Sequence, residues 1–161
     1  MNAEERKTKI KRYGNGFDLL RETLSEIPRK AWKFKPSPSD WSIHEVIIHL
    51  ADSEAMAAMR VRTLAAEPGK TIMAYDQDKW AVNLNYQEQD VDDALKFLKY
   101  IRKTTYKLLK SLPEQVFENT VVHPERDTPF SFERWLSIYP EHIPSHIEQI
   151  KNNFDLWKKQ D

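Results

Sequence analysis

Cysteine is absent from the 161 residues, which excludes disulfides, thiolate nucleophiles and sulfur ligands for a metal. A transition metal in this protein must therefore be held by His, Asp or Glu. Positive and negative side chains balance at 25 each, so no strong overall field directs the protein towards nucleic acid or an anionic membrane. These absences favour small molecules as partners.

Long hydrophobic runs are also missing. The first residues, MNAEERKTKIKRYGNG, contain no apolar segment typical of a signal peptide, and no window reaches the length that spans a bilayer. We therefore expect a cytoplasmic protein. The basic stretch RKTKIKR follows two glutamates and has little aromatic interleaving, which favours a solvated helix face over a nucleic-acid-binding arm.

Glycine is scarce, at three residues, and apolar side chains recur three and four positions apart over long windows. This pattern predicts an all-α protein. A chain of this length with 40% hydrophobic residues fits one globular domain over residues 1–161. The predicted helices span residues 3–27, 42–66, 91–112 and 131–157.

The ends of these helices have sequence signals of their own. Ser42 is a good N-cap with Glu45 at the capping-box position, and Asp90 is the expected cap of the third helix. Gly14 and Gly16 lie inside the first helix and each costs about 1 kcal/mol relative to Ala. They indicate either a break or kink in that helix or the close approach of a neighbouring helix.

The connections decide the topology. Residues 67–90 and 113–130 are long compared with the loops that join simple antiparallel neighbours. A segment of that length can cross the length of a bundle, so the second and third helices can run parallel. We therefore predict a four-helix bundle in up-down-down-up order with long crossover loops.

The five histidines differ in their surroundings. The stretch EHIPSHIEQI places His142 and His146 one helical turn apart, on a face shared with apolar and aromatic residues. His49 lies on the flank of the core stripe of the second helix. His44 is expected at the surface and His123 in a loop.

A pair of core histidines is more often satisfied by hydrogen bonds than by a metal. A third histidine on a packed helix changes that balance, because three neutral imidazoles with an open fourth position form a catalytic zinc arrangement. The predicted metal ligands are therefore His49, His142 and His146. Pro140, which precedes the pair, and Pro144, which lies within it, predict a kinked helix. A helix starting only at Pro144 is the alternative, and it would move His142 off the shared face.

Two other metal schemes do not fit the spacing. The pair reads HIPSH rather than HExxH, so the glutamate that serves as base in zincin proteases is missing. No glutamate precedes a histidine by three, which is the spacing with which ferritin-like bundles hold two metal ions. A mononuclear site is the remaining expectation.

Three segments together resemble the DinB/YfiT-like superfamily. These segments are WSIHEVIIHLADSE at 41–54, DQDKWA at 76–81 and HIPSHIEQI at 142–150. The resemblance covers nearly the whole chain and implies a four-helix bundle with up-down-down-up topology. It also implies a divalent metal, often zinc or nickel, held by His49, His142 and His146, and a tendency to form homodimers.

The activity implied by the resemblance is broader than the fold. Relatives include transferases that add bacillithiol or mycothiol to electrophiles and a thiol-dependent isomerase, while many members carry the label of metal-dependent hydrolases. Such a metal stabilises a thiolate or a hydroxide as nucleophile. The expectation is transfer of a low-molecular-weight thiol to an electrophilic small molecule. Hydrolysis of a small ester or amide, and a metal-binding or ligand-binding module without turnover, are the alternatives.

Supporting residues follow from helical position. Glu54 falls in the centre of the apolar stripe of the second helix, where a carboxylate needs a partner or a raised pKa. It is either a catalytic proton acceptor or part of a buried ion pair with a basic residue of another helix. Gln149, one turn from His146, either orients that ring or a substrate or is a packed amide. Asp52 points away from the core, and Trp80 of the crossover loop lines the pocket mouth or packs.

Overall fold

The computed structural model describes residues 1–160, and Asp161, the last residue of the predicted domain, lies outside them. The helices within the described residues are α1 (Ala3–Ser25), α2 (Ile43–Ala66), α3 (Gln77–Asn83), α4 (Val91–Ser111) and α5 (Phe132–Lys158). Two short strands, β1 (Thr120–Val121) and β2 (Phe130–Ser131), pair antiparallel. The four long helices are those predicted from sequence, to within two residues at each end.

Side-chain caps fix where these helices begin. Ser42 and Glu45 form the predicted capping box at the start of α2, and Asp90 accepts hydrogen bonds from the first-turn amides of α4. Both predicted caps are confirmed. The short helix α3 was not predicted. Asp76 caps it by accepting hydrogen bonds from the amides of Asp78 and Lys79.

Contacts at the helix ends establish the topology. At the N-terminal ends of α2 and α4, the His44 ring lies 2.9 Å from the Gln89 carbonyl oxygen. At the opposite ends, the Asn119 side-chain amide donates to the Leu64 carbonyl at 2.9 Å. Because like ends meet, α2 and α4 run parallel. The bundle therefore has the up-down-down-up order that the long crossovers predict.

The helix α1 passes through both of its glycines without a break. A Cβ atom at Gly16 would lie 2.7 Å from Arg102 Nη2, and one at Gly14 would lie 2.8 Å from the Tyr106 ring. Neighbouring side chains of α4 therefore occupy the space that larger residues in α1 would need. Of the two alternatives, close approach by a neighbour is confirmed and a break in the helix is wrong.

The core runs along the bundle axis between the four long helices. At one end it is mainly aliphatic, and at the other it is built around the fully buried Trp135, whose indole N–H donates to the Ala57 carbonyl at 3.0 Å. Among residues 1–160, no helix combines the length and the apolar character needed to cross a membrane. The histidine face of α5 packs against α2 near the aliphatic end of this core.

Candidate metal centre

The helix α5 carries two of the predicted ligands, and it is continuous through Pro140 and Pro144. It begins after Ser131, whose hydroxyl accepts the Arg134 amide at 3.1 Å. The alternative in which the helix starts only at Pro144 is therefore wrong. His142 and His146 lie one turn apart on one continuous helix.

The ring nitrogens of the three predicted ligands converge. His142 Nε2 is 3.3 Å from His49 Nε2 and 3.2 Å from His146 Nε2. One ligand atom from each ring lies within 4.8 Å of the other two. Two nitrogens bound to one tetrahedral ion, each about 2.0–2.1 Å from it, are about 3.3 Å apart. The separations observed on either side of His142 fit a single bound ion.

Burial keeps the three rings neutral. Burial first, and next the neighbouring His146 ring, lower the pKa of His49 to about 3, and burial lowers the pKa of His142 well below its usual 6.5. Burial also lowers the pKa of His146, although its hydrogen bond to Gln149 acts in the opposite direction. Metal ligands must be deprotonated. At neutral pH all three rings therefore keep lone pairs for a metal.

Neighbouring side chains fix the orientation of the rings. Gln149 Oε1 is 2.8 Å from His146 Nδ1, and as an acceptor it keeps the proton on Nδ1 and leaves the lone pair on Nε2. Trp41 packs on His49 with ring centroids 4.7 Å apart. His49 Nδ1 is buried and has no hydrogen-bond partner within residues 1–160. That ring is therefore held by packing, whereas His146 is held by a hydrogen bond.

Gln149→Leu should weaken metal binding by about 10–100-fold, because it removes the acceptor that orients His146 at nearly constant volume. The measurement is competition for Zn²⁺ against a colorimetric chelator. Gln115→Leu, at an exposed position, is the matched control and should leave affinity unchanged. Equal affinities in the native chain and the Gln149 variant would show that this amide only packs.

The remaining two histidines lie outside the triad. His44 was expected at the surface, and that expectation is wrong: the side chain is buried, and its Nε2 lies 2.9 Å from the Gln89 carbonyl oxygen. The segment that precedes α4 covers the first turn of α2, which helical position alone does not reveal. His123 lies in a loop as predicted, and its Nδ1 accepts the Glu125 amide at 3.3 Å.

Glu54 belongs to a buried network that joins the four long helices. Its carboxylate forms an ion pair with Arg102 of α4 and accepts a hydrogen bond from the Tyr13 hydroxyl of α1. Arg102 also donates to the Tyr13 carbonyl at 2.8 Å and to the Tyr139 carbonyl of α5 at 3.4 Å. Of the two roles considered for Glu54, the structure contains the buried ion pair. The proton-acceptor role stays a prediction.

The network contains one pair of opposite charges, Glu54 and Arg102, and the neutral Tyr13 hydroxyl donates a hydrogen bond to it. Burial, and next the charge of Glu54, raise the pKa of Tyr13 well above 10, so its hydroxyl stays protonated and donates.

Arg102 was not among the residues predicted from the sequence, although a signal for it was present. Arg102 follows Leu98 by four residues and precedes Leu109 by seven, within the apolar stripe of α4. A basic residue in one apolar stripe and an acidic residue in another predict a buried pair.

Asp52 and Trp80 contact residues of the crossover segment 67–90. The Tyr86 hydroxyl donates to Asp52 at 2.5 Å, so this carboxylate holds the segment against α2. Trp80 packs on Tyr75 with ring centroids 4.6 Å apart. The Asp52 contact fastens the crossover beside the helix that carries His49, whereas the contact of Trp80 with Tyr75 is packing within the crossover itself.

The parallel pair α2 and α4, together with three histidines that converge from α2 and α5, defines a class of helical bundles with one three-histidine cluster that could hold a metal ion. The sequence profile of the DinB superfamily matches residues 15–150 of this chain. The chain therefore belongs to the DinB superfamily. The family resemblance of its motifs is confirmed.

Relatives of known name agree with this membership. The chain is 27% identical over 143 residues to "Putative metal-dependent hydrolase OB0782" of Oceanobacillus iheyensis, covering 89% of this chain and 80% of that protein. It is 27% identical over 110 residues to YfiT of Bacillus subtilis, covering 68% and 62% of the two chains. The solved structure of that YfiT superposes with a TM-score of 0.86 at 22% identity, over 95% of this chain and 87% of YfiT.

Proposed function

We propose that this protein is a metal-dependent enzyme that transfers a low-molecular-weight thiol to an electrophilic small molecule. The observation that carries the proposal is the convergence of three neutral histidine nitrogens in a buried site. Three such ligands suit zinc or nickel and leave a position for a ligand from solution. When bound, the ion supplies a nucleophile near neutral pH by lowering the pKa of a coordinated thiol or water.

The protein's own residues contribute position and exclusion of water. Gln149 orients His146, and Trp41 packs on His49, so the two rings are held before a ligand arrives. The low exposure of the site strengthens electrostatic interactions with an anionic sulfur or oxygen. An electrophile is expected to bind on the open side of the three rings.

The carboxylates on α2 favour thiol transfer over hydrolysis. A water nucleophile benefits from a general base, but Glu54 is paired with Arg102 and Asp52 is hydrogen-bonded to Tyr86. A thiol has a pKa of about 8.5, so it needs less help from a base than water does. Hydrolysis of a small ester or amide is the second candidate, supported by the description "metal-dependent hydrolase" that the relatives carry.

Protein loaded with Zn²⁺ or Ni²⁺ is expected to accelerate conjugation of monochlorobimane with at least one thiol from a panel of cellular thiols that includes bacillithiol. The reaction should be followed by bimane fluorescence. His142→Ala should reduce the rate to that of the reaction without protein, because it removes the ligand that lies between the other two.

Ester and amide substrates run without thiol provide the contrast. Turnover of these substrates alone would replace the transferase proposal with hydrolysis. Tight metal binding without turnover in either panel would identify a binding module instead. His123→Ala, which changes a histidine outside the metal centre, should retain the conjugation rate of the native chain.

A further inference from the structure

Arg60 lies on the same side of α2 as the metal ligand His49. The two residues are separated by eleven positions, which is close to three full turns and about 16 Å of helix rise. The guanidinium of Arg60 donates to the hydroxyl of Tyr139, which precedes the ligand His142 by three residues on α5. Arg60 therefore faces the region in which a substrate held at the metal centre would extend.

Within residues 1–160, the guanidinium of Arg60 forms no ion pair. Nη1 donates to the Tyr139 hydroxyl at 2.9 Å and Nη2 donates to the Met73 carbonyl at 2.8 Å, and both acceptors are neutral. Nε is buried and finds no acceptor in the described part of the chain, residues 1–160. A partly buried cation without a counter-ion, carrying an unsatisfied donor, is costly. Such a group is a candidate for binding an anion.

Arg60 and the metal centre share one aromatic neighbour. The Tyr139 hydroxyl accepts the hydrogen bond from Arg60, and the Tyr139 ring centroid lies 6.4 Å from that of His142. Burial raises the pKa of Tyr139 and of Tyr75, while the charge of Arg60 opposes both shifts. Both phenols are therefore within range of the guanidinium charge. Tyr139 connects Arg60 to the metal centre, because its hydroxyl meets the guanidinium and its ring lies beside His142.

We propose that Arg60 binds a carboxylate on the electrophilic substrate, at the end remote from the reacting atom. The inference rests on the proposed function and names its substrate class. A guanidinium offers parallel N–H donors that match the two oxygens of a carboxylate. Nε is closed to solvent, so the edge is supplied by Nη1 and Nη2, each of which carries a second N–H beyond the one given to Tyr139 or Met73. Arg60 thereby determines specificity without touching the reacting atoms.

A binding experiment tests Arg60 independently of turnover. Calorimetric titration should compare 4-methylbenzoate with 4-methylbenzamide, which differ mainly in charge. The native chain is expected to prefer the benzoate by about tenfold or more, which is typical for a charge-assisted hydrogen-bonded pair. The preference should persist after the metal is removed by a chelator, because it comes from Arg60. Without the ion, coordination of the carboxylate by the metal cannot account for it.

Variants identify the residue responsible. Arg60→Gln should abolish the preference for the benzoate, and Arg60→Lys should retain part of it. Arg62→Gln is the matched control, because Arg62 lies on the same helix but donates to Ala58 and Thr105. Thermal unfolding confirms that each variant is folded. Equal affinity of the native chain for both probes, or an unchanged preference in Arg60→Gln, would overturn the proposal.

Kinetics separate this inference from the proposed function. With thiol and metal present, 4-(bromomethyl)benzoate should react with a lower KM than 4-(bromomethyl)benzamide and with a similar kcat. Arg60→Gln should remove the KM difference. No turnover of either electrophile, with the benzoate still bound preferentially, would reject thiol transfer and keep the anion site. Turnover of both with equal KM would reject the anion site and keep thiol transfer.

Discussion

His146→Ala is expected to bind no metal at concentrations where the native chain binds one ion per molecule. The substitution removes one of three nitrogens that lie 3.2–3.3 Å from a neighbouring ligand atom. Two remaining imidazoles do not complete the protein ligands of a mononuclear site. Elemental analysis of protein purified without an affinity tag or chelator provides the measurement.

Two other histidines serve as controls for this result. His44 and His123 each make a hydrogen bond elsewhere, to Gln89 and Glu125, and neither belongs to the converging triad. His44→Ala and His123→Ala should therefore retain one metal per chain. Stoichiometric metal in His146→Ala would remove the basis for the assigned centre.

Glu54→Gln is expected to reduce the free energy of unfolding by about 3–5 kcal/mol, because it leaves the Arg102 guanidinium buried without its counter-ion. Glu54 and Arg102 are 2% and 1% exposed, so water does not replace the lost partner. For a chain of this length the loss corresponds to a melting temperature lower by roughly 10 °C. Urea unfolding followed by circular dichroism is the measurement.

The same substitution at the surface provides a matched control. Glu148 pairs with Lys151 on α5 at 3.2 Å, and both side chains are exposed. Glu148→Gln should therefore change stability by less than about 1 kcal/mol.

The variant Glu54→Gln also tests whether Glu54 transfers a proton. If Glu54→Gln were as stable as the native chain and bound metal but lost about 10²-fold or more in rate, Glu54 would be a proton acceptor rather than a structural anion.

Local chemistry made the long helices and the cluster of three histidines predictable. The box formed by Ser42 and Glu45 depends only on residues three apart, and the face shared by His142 and His146 depends only on helical periodicity. His49 could be added because its helix must pack in the same core. Each of these inferences uses spacing within one helix and one assumption about packing.

Contacts between distant segments explain most of what the sequence did not reveal. His44 is buried because residues 45 positions further along the chain cover it. Arg102 meets Glu54 and Tyr13 only after α1, α2 and α4 have assembled in a particular order. The short helix α3 rests on a single Asp76 cap inside a segment without long-range periodicity. Pairings of this kind require the three-dimensional register of the helices.

The contact between Gly16 and Arg102 links the evolutionary histories of two positions that are far apart in sequence. With Arg102 held by Glu54 and by the Tyr13 carbonyl, its guanidinium cannot move away from an added Cβ at position 16. A lineage that acquires a larger residue there must first shorten the side chain at position 102, and position 54 then loses its need for an acid. Glycine, arginine and glutamate at these positions are therefore expected to be inherited together or replaced together.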